Sequence, residues 1–316
     1  MREFSRPCLV ASKCLEFDSC RYDGSMIKSS IVDRLKNYVE FHPVCPEVEL
    51  GLPIPRDPIR LVENKKEIEL LQPSTGMNLT KKMIDFADGF LRKLPLIDGF
   101  ILKNKSPSCG IKAVRVYPPG GNSRPRTDGV GAFAREVFHR FYQLPVEDEG
   151  RLRNFLIRES FLTRIFTLAE YRDLLESDNF NDLIDFHTNN KLLLMAHNQA
   201  LLREMGRIVA QGREKPFNEL KMEYGRYLLK NLSEPASAPA NVNVLQHSLG
   251  YFSKKLSHAE KKFFLDALKE YREGKMPLLL CQNLIKSWII RFDDVYLRQQ
   301  TFFDPYPPEL LEITFI

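Results

Sequence analysis

The sequence has no long apolar run and few cysteines, and each of these absences excludes a class of protein. No stretch of the 316 residues approaches the roughly 18 apolar residues that a membrane-spanning helix needs. The first residues also lack the apolar core of a signal peptide. Six cysteines in a chain of this length do not make a disulfide framework. We therefore expect a cytoplasmic protein with no membrane partner, in which the thiols stay reduced.

Charge of one sign is not concentrated in either half of the chain. Lys and Arg total 46 against 41 Asp and Glu, a formal net charge of +5. The surplus is divided almost equally between residues 1–150 and 151–316. A dedicated nucleic-acid-binding protein usually gathers its basic charge in one domain or on one face. RNA is compatible with this composition, but net charge does not favour it as a partner.

Three short apolar runs in the first half each lead into a polar loop that carries a cysteine. Each run predicts a buried strand, and helical patterns lie between the runs. Alternating strands and helices predict a parallel sheet, whose carboxyl-end loops gather at one edge. Cysteines far apart in sequence are thus expected to meet there: Cys14 after residues 8–11, Cys45 after residues 39–44, and Cys109 after residues 99–102.

The second half changes character at about Arg151. From there the chain shows helical patterns almost throughout, among them residues 191–209, 218–229 and 278–296. The predicted fold is an α/β domain over residues 1–150, with a parallel sheet and flanking helices, followed by an all-α domain over residues 151–316.

Cys14, Cys45 and Cys109 differ from Cys8 and Cys281 in their surroundings. The first three lie in polar loops, whereas the other two lie inside apolar runs, as buried structural cysteines usually do. The loop cysteines are either ligands of one metal centre or unrelated thiols. The absence of a CxxC pair weakens a structural zinc site, whereas an iron–sulfur cluster can take its ligands from distant loops.

Cys20 is a fourth loop cysteine with two interpretations. It could be an additional ligand or an unligated thiol. The turn signal Asp23-Gly24 follows it closely. We expect this loop to have turned away by residue 20, so that Cys20 lies outside the group formed by Cys14, Cys45 and Cys109.

Glu47 lies two residues after Cys45 and also has two interpretations. Its carboxylate could polarise a water molecule or bind a substrate. Alternatively, Pro46 and Glu47 simply begin a helix, where proline and a negative charge are favourable.

A tight turn is predicted at Ser106-Pro107-Ser108-Cys109-Gly110. Its hydroxyl and N–H groups could face an anion or a cluster sulfide, or it could be an ordinary turn. Gly129 and Gly131 precede a helical pattern whose first turn could hold an anion. The histidines of the second half, His187, His197 and His247, are interpreted as core or interface residues, since no Glu or Cys completes a metal site with them.

Five motifs in the first half resemble the TudS family of thiouracil desulfidases, in the family's order and within residues 7–145. They are Ala11-Ser12-Lys13-Cys14-Leu15, Arg21-Tyr22-Asp23-Gly24, Pro43-Val44-Cys45-Pro46-Glu47, Gly51-Leu52-Pro53-Ile54-Pro55-Arg56 and Lys105-Ser106-Pro107-Ser108-Cys109-Gly110. Residues from about 185 to 310 resemble the YbgA-like helical domain. That resemblance rests on Phe186-His187-Thr188, residues 191–197, residues 243–247, residues 250–252 and Pro305-Tyr306-Pro307.

The resemblance implies a [4Fe–4S] cluster held by Cys14, Cys45 and Cys109, with a fourth iron that has no protein ligand. That iron would act as a Lewis acid that takes the sulfur of the substrate without net redox change. The acid/base glutamate of the family falls on Glu47 and its substrate-contacting serine on Ser106. Ser108 of the same loop is expected to contact the substrate as well. The implied substrate is a thiolated uracil base or nucleotide, and the implied products are a uracil-type base and sulfide.

Two alternatives remain open at this point. The first is an iron–sulfur module that binds RNA or senses redox state. The second is a desulfidase that acts on thiolated tRNA, with the helical domain holding the RNA. The loop Leu15-Glu16-Phe17-Asp18-Ser19 also departs from the small residues usual in the family, which places charge near the cluster.

Overall fold

Two β-sheets and the helices that flank them form the first half of the protein in a computed structural model, which describes residues 2–65, 67–119, 124–212 and 214–311. The strands, in chain order, are β1 (Cys8–Ser12), β2 (Glu40–Val44), β3 (Arg60–Asn64), β4 (Glu67–Gln72), β5 (Met77–Asn78), β6 (Gly99–Leu102), β7 (Val114–Tyr117), β8 (Arg126–Gly129) and β9 (Val146–Asp148). The helices are α1 (Ser30–Leu35), α2 (Pro46–Glu49), α3 (Thr80–Lys93), α4 (Ala132–Arg140) and α5 (Phe155–Leu175).

A parallel sheet with the strand order β2-β1-β6-β9 lies at the centre of the first half. Every residue of β1 is buried, as is typical of a short apolar strand covered on both faces. β1 pairs with β2 from Cys8↔Glu40 to Ser12↔Val44, and it pairs with β6 on its other side. These are the three strands that precede the loops of Cys14, Cys45 and Cys109. Since they are parallel neighbours, their carboxyl ends bring those loops to one edge.

The second sheet, in the order β5-β4-β3-β7-β8, was not predicted from the sequence. It is mixed, because β3 runs parallel to β7 and antiparallel to β4. Leu61, Leu70 and Val116 point into the core, and charged residues such as Arg60 and Arg115 alternate with apolar ones and are exposed. Strands this short give too few alternations to be recognised from periodicity alone.

One apolar core joins the strands to the helices of the first half. It includes Val10 of β1, Phe100 of β6, Leu61 of the second sheet, Met83 of α3 and Phe133 of α4. The core therefore fixes the strands whose ends carry the cysteine loops.

The second half is helical in the part of the chain that the structure describes, so the predicted fold class is confirmed. Its helices are α6 (Phe180–Asn189), α7 (Lys191–His197), α8 (Gln199–Ala210), α9 (Phe217–Asn231), α10 (Ala238–Phe252), α11 (His258–Arg272), α12 (Leu278–Phe292) and α13 (Val295–Gln299). The pattern over residues 191–209 forms two helices rather than one, because Asn198 ends α7 and its side chain caps α8. None of the helices described is long and apolar enough to cross a membrane.

The chain divides after Ala169 into two compact units, the second of which is Glu170–Pro308. This division lies inside α5, so residues beyond 150 belong to the first unit. Ile165 and Phe166 of α5 are buried. A Cβ placed on Gly99 would lie 3.3 Å from the Ile165 side chain, and the ring of Phe166 lies 6.0 Å from that of Phe4.

A chain truncated after Gly150 is therefore expected to be less soluble than the full chain. The truncation removes Ile165 and Phe166 and leaves the apolar surface beneath them in water. The soluble fraction of each chain after expression and centrifugation measures the effect. Equal solubility of the truncated and full chains would show that α5 is dispensable for the first unit.

Candidate active site

The first cysteine loop is joined to both of its neighbours by hydrogen bonds. Lys13 N–H donates to the Val44 carbonyl at 2.8 Å, which links this loop to the end of β2. Ser12 Oγ accepts a hydrogen bond from Lys103 N–H at 2.9 Å, which links it to the end of β6. The three loops are thereby held together at the edge predicted from the strand pattern.

Cys45 is the residue that precedes α2, and Pro46 occupies the first helical position. Glu47 lies in the first turn of this helix, where its negative charge is favourable. Glu47 also lines the cavity beside the cysteines. Both interpretations of Glu47 therefore apply, because the short helix that it helps to begin also directs its carboxylate toward the cavity.

The third cysteine loop is a tight turn built around Ser106. Ser106 Oγ accepts hydrogen bonds from Ser108 N–H at 3.2 Å and from Cys109 N–H at 3.1 Å. The N–H groups of Ala132 and Phe133, at the start of α4, donate to the carbonyls of Pro107 and Ser108 at 2.9 Å. The loop is thus fixed by its own serine and by the first turn of a helix.

Gly131 is required for that contact, and the structure does not support the interpretation of Gly129 and Gly131 as an anion site. A Cβ on Gly131 would lie 2.4 Å from the Ser108 carbonyl oxygen, so only glycine permits this approach. The N–H groups that could have held an anion are bonded to the cysteine loop instead.

Cys14, Cys20 and Cys45 are buried together in one cluster, and Cys109 lines the same cavity. The expectation that Cys20 lies outside this group is therefore wrong. Its loop folds back because Ile27 N–H donates to the Cys14 carbonyl at 2.8 Å, which closes residues 14–27 into a loop beside the cavity.

Three of the cavity thiols, those of Cys20, Cys45 and Cys109, have raised pKa values. A hydrogen bond with Cys14 raises the pKa of Cys20 to about 11. A hydrogen bond with Cys20, together with burial, raises the pKa of Cys45. Burial raises the pKa of Cys109. Binding of a metal by these residues would therefore release protons.

The cavity thiols do not form a compact three-ligand group of the kind that holds a single metal ion. Four zinc–sulfur bonds of 2.3 Å at tetrahedral angles place the sulfur atoms about 3.8 Å apart. Among the described residues, no three of the four cavity thiols have all their sulfur atoms within 4.8 Å of one another. Thiolates are the soft donors that hold iron–sulfur clusters, so the chemistry of the donors in this cavity fits such a cluster.

Both carboxylate oxygens of Glu47 are held by buried side chains. Arg56 Nε and Nη2 donate to Oε2 at 2.9 and 2.6 Å, and Ser108 Oγ donates to Oε1 at 2.9 Å. Arg56 Nη1 also donates to the Cys20 carbonyl at 3.1 Å. One guanidinium thus joins the Glu47 carboxylate to the backbone of a cavity cysteine.

Arg56 was not identified as a site residue from the sequence. The available signal was its place at the end of the motif Gly51-Leu52-Pro53-Ile54-Pro55-Arg56. Ser108 was predicted to contact the substrate, but it is fully buried and directs its hydroxyl to Glu47. This placement favours a role for Ser108 in positioning Glu47 over direct contact with the substrate. Ser106 lines the cavity, as its predicted role requires.

Replacement of Arg56 by Met is expected to destabilise the protein by about 3–5 kcal/mol, because it leaves Glu47 without the partner of a buried ion pair. The side chains of Arg56 and Glu47 are only 2% and 13% exposed. Urea unfolding followed by circular dichroism measures this loss. Arg92→Met is the matched control, because Arg92 forms an exposed ion pair with Asp88 that is worth about 1 kcal/mol or less. Equal losses in the two variants would contradict the assignment of Arg56.

The cavity beside the cysteines has a volume of about 710 Å³, within the range of about 300–1,000 Å³ typical of small-molecule sites. Glu47 is the one carboxylate among the described residues that line it, whereas six of the lining residues are basic. The surroundings of the cavity are thus positive and would favour an anionic ligand. The basic residues are Arg21, Arg56, Arg60, Lys103, Lys105 and Arg115.

A second group of ligand-type side chains lies on β1 and β2, away from the cysteine loops. His42 Nε2 is 3.1 Å from Cys8 Sγ and 3.7 Å from Glu40 Oε1. In the second half, His187 contacts the Tyr224 hydroxyl at 3.1 Å, and burial lowers its pKa to about 4. His197 contacts the Glu234 carbonyl at 2.8 Å.

Comparison with known proteins identifies both halves of the chain. The family model of 2-thiouracil desulfurase matches residues 9–149, and the model DUF1722, described as a protein of unknown function, matches residues 191–307. The first half is thus a 2-thiouracil desulfurase domain, and the protein is an enzyme of the desulfidase type.

The chain belongs to the family of YbgA-like proteins. It is 31% identical to the uncharacterized protein YbgA of Escherichia coli (strain K12) over 151 residues. The aligned region covers 47% of this chain and 89% of that protein. The uncharacterized protein YbbK of Bacillus subtilis (strain 168) is 29% identical over 109 residues, or 32% of this chain and 72% of that protein. A solved structure of the [4Fe-4S]-dependent thiouracil desulfidase TudS is similar at 26% identity and a TM-score of 0.36, and covers 47% of this chain and 94% of that one. The resemblances inferred from the motifs are confirmed.

Proposed function

We propose that this enzyme hydrolyses the carbon–sulfur bond of a thiolated uracil at a [4Fe–4S] cluster held by Cys14, Cys45 and Cys109. The observation that carries the proposal is the arrangement of one cavity, into which the loops after β1, β2 and β6 bring these three cysteines together with Glu47. The match of residues 9–149 to 2-thiouracil desulfurase supports this chemistry for the cavity.

The overall reaction exchanges one sulfur for one oxygen and needs no electron donor. Water and the thiocarbonyl group give a carbonyl group and hydrogen sulfide, so no atom is oxidised or reduced. An iron–sulfur cluster would supply a soft Lewis acid for the thiocarbonyl sulfur, which makes the adjoining carbon more electrophilic.

Glu47 is the proposed general base of this reaction. Arg56 and Ser108 fix both of its oxygens, so the carboxylate keeps one orientation toward the cavity. A fixed carboxylate can take a proton from a water molecule as that water attacks the thiocarbonyl carbon, and can then return the proton to the departing sulfur. The hydrogen bonds of Glu47 thus support catalysis by orientation.

Ser106 is proposed to bind the substrate. Its oxygen accepts two backbone N–H groups, which fixes the side chain at the cavity wall. The hydroxyl proton can still be donated, and a carbonyl oxygen or ring nitrogen of the uracil is a suitable acceptor.

The basic lining of the cavity favours a substrate that carries phosphate. Lys105 and Arg115 are exposed at the cavity, and neither forms an ion pair within the part of the chain that the structure describes. A thiolated uridine nucleotide, or the same unit within RNA, would place phosphates near these side chains. This observation favours thiolated tRNA as the second candidate substrate, which the even net charge of the two halves did not reveal.

Sulfide release from three substrates tests the function and separates these candidates. We would compare free thiouracil, thiouridine monophosphate and thiolated tRNA at several salt concentrations. Release from any of them supports the desulfidase. A strong fall of activity on tRNA with rising salt would identify RNA as the substrate. Release from none of them by the iron-loaded enzyme would favour a cluster that senses redox state.

We also propose that residues 1–150 act as a catalytic domain and residues 151–316 as a helical domain. The part of α5 up to Ala169 belongs structurally to the unit that contains the catalytic domain. A role of the helical domain in holding RNA would appear as weaker binding of tRNA, but not of the nucleotide, after changes confined to residues 191–307.

A further inference from the structure

The start of β1 and β2 carries three metal-binding side chains that the function proposed above does not use. His42 Nε2 lies 3.1 Å from Cys8 Sγ and 3.7 Å from Glu40 Oε1. The three ligand atoms all lie within 4.8 Å of one another. Among the residues that the structure describes, no other three His, Cys, Asp or Glu side chains meet this closely. The compact grouping that the cavity thiols lack is thus present here.

The pairing of the two strands explains why these side chains meet. Cys8 is directly opposite Glu40 in the parallel ladder. His42 is two residues further along β2 and therefore points to the same face as Glu40. About 13 Å of β1 separates Cys8 from Ser12 and the first cysteine loop, at 3.3 Å per residue. None of the three side chains lines the cavity, so they form a separate site.

The backbone of this group is fixed by hydrogen bonds that involve no ion. Cys8 N–H donates to Asp98 Oδ2 at 2.7 Å, and Glu40 N–H donates to the Pro7 carbonyl at 2.8 Å. Cys8 is 4% exposed, whereas the side chains of His42 and Glu40 are 33% and 65% exposed. The thiol thus lies on a rigid strand, and the other two side chains can adjust to an ion that arrives from solvent.

The chemistry of the three donors favours zinc among the common cations. Zinc binds thiolate sulfur at about 2.3 Å and imidazole nitrogen or carboxylate oxygen at about 2.0–2.2 Å, whereas calcium and magnesium take oxygen ligands. At a tetrahedral angle, these bonds place a sulfur and a nitrogen atom about 3.5 Å apart. Cys8 Sγ and His42 Nε2 are 3.1 Å apart, so a small rotation of the partly exposed imidazole accommodates the ion.

We propose that Cys8, His42 and Glu40 bind one Zn²⁺ ion, with water in the fourth position. Core packing accounts for the burial of Cys8, but not for an imidazole and a carboxylate beside its thiol. Three protein ligands and one water molecule are the arrangement of zinc sites that stay open to solvent. The ion would join β2 to β1 at the end of these strands remote from the cavity. This inference is independent of the proposed desulfidase chemistry.

Zinc uptake by the full-length, iron-loaded protein tests this site. The protein and its variants would be given a small excess of zinc chloride and then passed over a desalting column. Loading the cluster first keeps the cavity thiols from taking zinc. Inductively coupled plasma mass spectrometry measures iron and zinc per chain. X-ray absorption at the zinc edge counts the sulfur atoms bound to the zinc.

We expect about one zinc per chain in the unaltered protein, bound by one sulfur and otherwise by nitrogen or oxygen. His42→Gln and Cys8→Ser are expected to lose this zinc and to keep their iron. His139→Gln is the matched control, because His139 is exposed in the last turn of α4, and it is expected to take up zinc as the unaltered protein does. Equal zinc uptake by His42→Gln and His139→Gln would overturn the assignment.

The sulfur count keeps the test decisive if the cluster does not assemble. Zinc in an unloaded cavity would have two or more sulfur ligands, so a spectrum that shows only such zinc would contradict the proposed site. Zinc with one sulfur ligand would support the site even if the proposed desulfidase chemistry failed.

An exposed ligand keeps the test decisive if Cys8→Ser does not fold. Glu40→Gln changes only an exposed side chain and is expected to bind zinc at least about 10-fold more weakly, since loss of a partner outside the ligand set already costs that much. Competition with a chromophoric chelator measures the affinity. Unchanged affinity in both Glu40→Gln and His42→Gln would overturn the proposal without any variant of Cys8.

Discussion

Replacement of Cys45 by Ser is expected to leave the anaerobically reconstituted protein colourless and without sulfide-releasing activity. Cys45 lies between β2 and α2 and faces the other cavity cysteines. A hydroxyl is a poor substitute for a thiolate at iron, so the cluster loses a ligand that the geometry cannot replace. Iron content per chain and visible absorbance, measured before activity, show whether the cluster forms. Cys14→Ser and Cys109→Ser are expected to behave in the same way.

Two other cysteines provide the controls for this result. Cys281 lies in α12, outside the first unit. Cys8 lies on β1 and contacts His42 of β2 rather than the cavity. Serine at either position is expected to leave the iron content unchanged. Loss of colour in Cys281→Ser, or its retention in Cys45→Ser, would contradict the ligand assignment.

Replacement of Glu47 by Gln is expected to lower turnover by about 100- to 10,000-fold while the cluster is retained, because a positioned general acid or base typically contributes that much. The amide keeps one oxygen to accept from Arg56, and its nitrogen can donate to Ser108, so much of the orientation survives. What the variant loses is the ability to take a proton from water. Steady-state sulfide release, normalised to iron content, measures the effect.

Glu49 is the matched control for Glu47, because it lies in the same short helix but is exposed. Glu49→Gln is expected to keep full activity. If Glu47→Gln also kept full activity, Glu47 would serve only to begin α2.

The edge at which the cysteine loops gather could be predicted from the sequence, because the rule for parallel strands is local. An apolar run, a polar loop and a helical pattern suffice to orient each strand, and adjacent parallel strands then bring their loops together. Cys45 and Cys109 follow two such strands, and their place at the cavity is a consequence of that order.

Cys20 and Arg56 could not be placed in the same way. Both depend on loops that fold back through bonds between distant residues, such as Arg56 N–H to the Tyr22 carbonyl. The sequence near Cys20 shows a turn at Asp23-Gly24 but not the direction in which the chain leaves it. The direction is set by the hydrogen bonds that close the loop.

The orientation of Ser108 illustrates a further limit of sequence reasoning. The motif shows a serine in a tight turn, but not whether the hydroxyl faces the cavity or the protein interior. That choice is made by α4, whose start bonds to the turn where Gly131 approaches it closely. A contact between residues more than twenty positions apart therefore decides the role of this side chain.

The most direct test of a hydrolytic iron–sulfur desulfidase is a single anaerobic turnover experiment in water enriched in oxygen-18, without any added reductant. The protein, loaded with iron and sulfide, would be mixed with a thiolated uracil substrate, and sulfide and the uracil-type product would be measured together. Our account predicts equal amounts of the two products, with the heavy oxygen on the carbon that carried sulfur. A protein that binds stoichiometric zinc and no iron, or that releases sulfide only when a reductant is supplied, would contradict it.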